Sequence, residues 1–89
     1  MARGWKDDPG TILWLKDRAA RDENPDVRQA ALEELARGWK DDPDTLPLLK
    51  DRAARDDDPK VREAAVEELA WGWKDDLEVQ KFLADLRNP

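Results

Sequence analysis

Apolar side chains return along this chain at steps of three and four. Val27, Ala30, Ala31, Leu35 and Trp39 share one helical stripe, and Val61, Ala64, Ala65, Leu69 and Trp73 repeat it 34 positions later. The spacing predicts a helix from about Pro25 to Lys40. Asn24 suits its N-cap and Pro25 its first position, where a missing N–H costs nothing. Asp58 and Pro59 set the same start in the next copy. Shorter partner helices are marked by Ile12, Leu15 and Ala19, then by Leu46, Leu49 and Ala53, each near an Asp-Asp-Pro turn. A helix beginning at Pro43 would be kinked by Pro47, so the second partner helix is expected to start at Thr45 or slightly before. Val79, Phe82, Leu83 and Leu86 predict a terminal helix from about Asp76 to Leu86, with Glu78, Gln80, Lys81, Asp85 and Arg87 toward water. Leu77 stands where earlier copies have proline. Nothing local therefore forbids the preceding helix from running through Lys74-Asp75-Asp76, and a fused helix would invite domain swapping.

The pattern is a repeat. Residues 2–35 and 36–69 share 25 identities in 34 positions, and a partial copy with a capping helix occupies 70–89. A fixed period of this size marks a helical solenoid, in which each hairpin buries its apolar face only by stacking on neighbours. The expected architecture is an all-α, right-handed alpha-solenoid of two to three helical-hairpin repeats with about five helices, the first a stub. Ala2-Arg3-Gly4-Trp5-Lys6 corresponds to the tail of a second helix whose first half is missing, as in an excised or engineered fragment.

Composition narrows the function. At 89 residues the chain is one domain with a modest core, and Trp5, Trp39 and Trp73 recur as its bulk at one repeat position. Charged residues reach 43%, yet the helical periodicity argues for a folded chain. The formal charge of −6 argues against general affinity for nucleic acid or anionic membrane. Without cysteine or histidine, disulfide and thiolate chemistry are absent and general-base chemistry shrinks to carboxylates and lysines. No apolar stretch approaches the roughly 18 residues of a spanning helix, and no signal region opens the chain, so a cytoplasmic location is expected.

The segments from Asp22 to Ala31 and from Asp56 to Ala65 resemble the second-helix signature of HEAT-like repeats, an aspartate in the turn followed six residues on by an arginine after a valine. The resemblance implies a HEAT-like repeat domain with a ladder of charge-assisted hydrogen bonds formed by Asp22, Arg28, Asp56 and Arg62. It also implies pairs Asp22–Arg28 and Asp56–Arg62 that hold the stack. The fuller phrase running from Ala36-Arg37-Gly38-Trp39 to Asp51-Arg52-Ala53 is similar to repeat arrays of cyanobacterial NACHT-type signalling ATPases. There the array is the sensor part. This chain has no Gly-rich phosphate loop, which removes nucleotide chemistry. Tetratricopeptide repeats share the period, but their Trp-x-x-Leu-Gly-x-x-Tyr pattern is absent.

Tested for chemistry, the remaining constellations read as structural. The pairs Asp7-Asp8, Asp41-Asp42 and Asp75-Asp76 lack the alternating oxygen ligands and glycine turn of a calcium loop, and are expected to cap helices. No metal, no cofactor and no enzymatic activity are expected. Lys16, Arg18 and Arg21 repeat as Lys50, Arg52 and Arg55, but Asp17, Asp22, Asp51 and Asp56 lie among them and are expected to pair with them. Two tryptophans break the repeat. Trp14 stands where the next copy has Leu48, and Trp71 where earlier copies have Arg3 and Arg37. Each either plugs an end of the solenoid or forms a contact with another chain. The function expected is non-catalytic protein binding by second-helix side chains, with Gln29, Glu33, Glu63 and Glu67 as contacts beside Trp14 and Trp71. The alternative is a self-assembling module whose open ends make a homo-oligomer.

Overall fold

The computed structural model describes residues 9–87. It contains α1 (Pro9–Arg21), α2 (Pro25–Gly38), α3 (Thr45–Arg55), α4 (Pro59–Gly72) and α5 (Leu77–Arg87), with no strand among the described residues. The expected stub over Ala2–Lys6 lies outside them. The pairs α1–α2 and α3–α4 form antiparallel hairpins, α4 stacks on α2, α3 touches α1, and α5 packs on α4 as α3 does on α2. Consequently α5 is in register as the first helix of a third repeat.

Local chemistry sets the helix boundaries. The Asn24 and Asp58 side chains accept the N–H of Asp26 and Lys60, each at 2.8 Å, so both long helices start on a polar cap followed by proline. Both stop at a glycine followed by tryptophan, and the N–H groups of Trp39 and Trp73 return to the carbonyls of Leu35 and Leu69. Pro47 falls in the first turn of α3, where its missing donor has no intrahelical partner to lose. Leu13 retains that N–H in the first repeat, and α1 starts two residues earlier in the repeat frame. The helices flanking Asp75-Asp76 are separate. Asp76 takes the N–H of Glu78 at 3.0 Å and of Val79 at 3.2 Å, which caps α5 and ends any continuous helix.

The core runs through both layers: Leu15 and Ala19 on α1, Leu32 and Leu35 on α2, Leu49 and Ala53 on α3, Val61 and Leu69 on α4, and Val79 and Leu83 on α5. One part of the expected stripe is displaced. On α2, Ala30 is exposed and Val27 half-buried, whereas Leu32 is fully buried, with Arg28 and Ala36 beside it in the interior. The cause is that α2 is covered from two directions, by α1 and by α4, so its buried arc turns toward the following repeat. Val61 and Ala64, the counterparts of Val27 and Ala30, are buried because α2 lies against α4.

A hydrogen bond ties each connection to its neighbour. Thr45, fully buried, donates its hydroxyl to the Trp39 carbonyl at 2.7 Å. Its counterpart is Val79, which has no donor to give. The adjacent Gln80 replaces it, donating Nε2 to the Trp73 carbonyl at 3.0 Å, so Gln80 is half-buried rather than turned fully to water.

Candidate functional site

A buried ion pair with several hydrogen bonds stands at the junction between the two hairpins. Arg28, on the first turn of α2, is 8% exposed, and Asp56, at the end of α3, is 1% exposed. The guanidinium donates from Nε at 3.0 Å and from Nη2 at 2.9 Å to the two oxygens of Asp56, a planar fork on a planar acceptor. Nη2 also reaches Asp57 at 2.9 Å, and Nη1 donates to the backbone carbonyl of Asp22 at 2.6 Å. Asp56 further accepts the N–H of Asp58 at 2.9 Å and lies 3.3 Å from Arg52. Burial pushes the Asp56 carboxyl up, but the Arg28 hydrogen bond, the Asp58 N–H and the charges of Arg28 and Arg52 outweigh it and hold the group below the usual carboxylate range.

The arginine divides its donors differently from the pairs Asp22–Arg28 and Asp56–Arg62. Within a repeat Arg28 meets the backbone carbonyl of Asp22, and Arg62 likewise meets that of Asp56. Between repeats Arg28 meets the carboxylate of Asp56. The Asp22 carboxylate itself accepts from Arg18 at 2.9 Å and from the N–H of Asn24 at 2.9 Å. Sequence spacing showed the residues but not this division.

The arginines of α1 and α3 pair with aspartates of their own helix. Arg18 meets Asp17 at 2.8 Å, Arg52 meets Asp51 at 2.7 Å, and Arg21 and Arg55 approach Asp17 and Asp51 at 3.8 and 3.6 Å. Lys16 bridges forward to Asp42 and Asp44, each at 3.0 Å, a contact between α1 and the turn before α3 that helix spacing alone does not reveal. Lys50 sits over the Phe82 ring, 5.6 Å from its centroid. Asp42 and Asp76 take backbone N–H groups, and no group of three or more acidic side chains placed to hold a metal occurs among the described residues. Asp7 and Asp8 lie outside them.

The second helices carry the outward side chains. Gln29 and Glu33 on α2, and Glu63, Glu67 and Trp71 on α4, follow at steps of four and so share a face of each helix. Gln29 donates to Glu33 at 3.3 Å, and both are half-buried; Glu63, Glu67 and Trp71 are exposed. Arg37 to Glu68 at 3.0 Å and Lys60 to Asp26 at 3.6 Å tie α2 to α4 across this layer. Trp71 is 77% exposed and lines a shallow cleft with Trp73, Lys74 and Lys40, whose Nζ stands 5.2 Å from the centroid of the Trp73 ring.

Trp14 belongs to a different surface. It is 59% exposed and borders an apolar groove with Leu15, Val27 and Ala30 at the side of the first hairpin facing away from α3 and α4. The structure therefore does not bring Trp14 and Trp71 together. A family model described as HEAT repeats matches residues 1–88 of the chain. No curated protein and no solved structure matches it.

Proposed function

We propose that this chain, which belongs to the HEAT repeat family, is a non-catalytic protein-interaction scaffold that receives its partner on the outer face of the second helices. The observation that supports this is Trp71, a large ring left 77% exposed at the end of an acidic row, on a helix whose other side is locked into the core. A rigid support spares ordering entropy when a partner docks, and an indole is the side chain most often found as an interface anchor. Glu63 and Glu67 beside it, with the overall charge of −6, favour a partner surface with lysines or arginines around an apolar recess.

Peptides selected from a displayed library against the intact chain test this reading. Binders rich in basic residues that lose at least tenfold in affinity to Trp71→Arg and to Glu67→Lys, but not to Trp14→Leu, are the expected result. Binders indifferent to Trp71 and Glu67 would refute it.

On the same reading the array is the sensor part of a NACHT-type signalling protein working in the cytoplasm. The phrase from Ala36 to Ala53 supports that placement. No described helix is long and apolar enough to cross a membrane.

The apolar groove bordered by Trp14, Val27 and Ala30 favours a second reading, self-assembly through this face. Light scattering over a hundredfold range of concentration separates the two. A constant monomer mass supports the scaffold, and a mass that rises supports assembly, which Trp14→Leu should then weaken.

A further inference from the structure

Three cations recur on the first helix of each repeat, and one of the three is left without a close partner both times. Lys16 is held by Asp42 and Asp44, Lys50 sits over the Phe82 ring, and Arg18 and Arg52 meet Asp17 and Asp51 at 2.8 and 2.7 Å. Arg21 and Arg55 differ. Their side chains are 81% and 78% exposed, and their only ionic neighbours among the described residues are Asp17 and Asp51 at 3.8 and 3.6 Å, beyond hydrogen-bond range. Exposed pairs of this kind are worth little, so either guanidinium can exchange its neighbour for a better acceptor. Compensation of a helix end does not account for them, because Arg18 and Arg52 already stand in the same last turns.

Both arginines line one groove, between the two hairpins on the edge where α1 turns into α2 and α3 into α4. Three acids share it: Asp22, Glu23 and Asp57. Asp22 is taken by Arg18 at 2.9 Å and Asp57 by Arg28 at 2.9 Å, whereas Glu23 has no ion pair among the described residues. Uncommitted guanidinium groups therefore outnumber uncommitted carboxylates here, although the chain as a whole is acidic. Arg21 and Arg55 also hold the same repeat position on helices that touch, and packed helices lie about 8–10 Å apart. A polyproline-type segment has three residues a turn and advances about 3.1 Å per residue, so its side chains at i and i+3 share a face about 9 Å apart.

We propose that this groove docks an extended, acidic segment of a partner protein, with carboxylates three positions apart meeting Arg21 and Arg55. Each guanidinium offers a planar fork to a carboxylate, a stronger contact than the long approaches to Asp17 and Asp51 that it replaces. Charge complementarity also selects the spacing. A continuous run of phosphates would meet Glu23 and Asp57 as well, whereas carboxylates at every third position pass between them. This surface asks for the opposite charge to the Trp71 row and lies on a different edge, so failure of either proposal leaves the other standing.

The probe is an acetylated, amidated peptide of four Glu-Pro-Pro units, titrated to millimolar concentration into the isotopically labelled intact chain and followed by its amide signals. At about 0.05 M salt, where surface charges are weakly screened, saturable shifts are expected at Ala20, Arg21, Glu23 and Arg55, a readout that needs no variant to fold. Raising the salt to about 0.3 M should weaken binding at least fivefold. The variant carrying Arg21→Gln with Arg55→Gln should also lose at least fivefold, and Glu23→Gln should gain at least twofold. Lys74→Gln with Lys81→Gln removes the same charge away from the groove and should change affinity less than twofold. A peptide of Gln-Pro-Pro units should leave the signals in place. No saturation, or equal binding by the double arginine variant and the parent, overturns the proposal. An oligothymidylate that binds more tightly than the peptide and weakens in the same variant would assign the groove to nucleic acid and overturn the partner named here.

Discussion

The guanidinium of Arg28 grips the carboxylate of Asp56 with two hydrogen bonds, at 3.0 Å from Nε and 2.9 Å from Nη2, across a sequence separation of 28 residues. Both side chains are out of water, so the pair is worth little as a net gain in folding free energy but costs heavily to break, because the remaining buried charge keeps only a secondary partner, the exposed Asp57 for Arg28 or Arg52 for Asp56. Asp56→Ala is expected to destabilise the chain by about 3 kcal/mol. Arg28→Met together with Asp56→Leu should recover much of that loss, since neither charge then remains. Urea unfolding of the single and double variants reads both values.

Acid should act on the same pair. The native pKa of Asp56 is depressed, so its contribution to stability is complete above the unfolded value of about 4 and is lost as pH falls through the lower native value. Asp42 is depressed as well, by the Asp44 N–H first and by Lys16 second, and adds in the same direction. The urea midpoint should be flat from neutral pH to about pH 5 and fall below about pH 4. In Asp56→Asn the fall should be shallower; an unchanged slope would mean that Asp56 does not carry it.

The turn carbonyls of Trp39 and Trp73 each accept a backbone N–H, from Asp42 and Asp76, and a second hydrogen bond from one side chain, Thr45 and Gln80. Removing the side-chain donor takes away that second bond, at a cost of about 1 kcal/mol. Thr45→Val keeps the volume and should show this loss in urea, because Thr45 is fully buried. Gln80→Ala should cost no more than that, since Gln80 is only half-buried and water can reach its place.

Trp14→Leu and Trp71→Arg restore the residues that the repeat has elsewhere. Both side chains are mostly in solvent, so each change should alter stability by no more than about 0.5 kcal/mol. Thermal melts check this. A large loss would instead show that the rings hold the fold, and would remove Trp71 as an interface anchor.

The helices were legible in the sequence because their determinants are local. Asn24-Pro25 and Asp58-Pro59 carry the cap and the first position of α2 and α4 within two residues, and Pro47 limits where α3 begins. Leu49, Ala53, Val61 and Leu69 were legible as core for the same reason, since a period of three and four residues survives in one dimension. Ala30 was misplaced because its stripe is shared with positions that α1 covers, while the surface that covers Ala64 in the next copy is α2 itself. A one-dimensional pattern does not show which neighbouring helix covers a given face.

What the sequence determined by itself is the helical type of the elements, their period of 34 residues, and the residue types that meet at each junction. What only the tertiary structure decided is how donors and faces are distributed among neighbours. Arg28 reaches forward to Asp56 rather than across to the Asp22 carboxylate, Gln80 takes over from the lost Thr45 hydroxyl, and Val66 lies open where Leu32 is closed. The physical reason is that a cap or a stripe depends on residues within one or two turns, whereas burial and ion pairing depend on which helix lies alongside, and two repeats of nearly identical sequence have different neighbours.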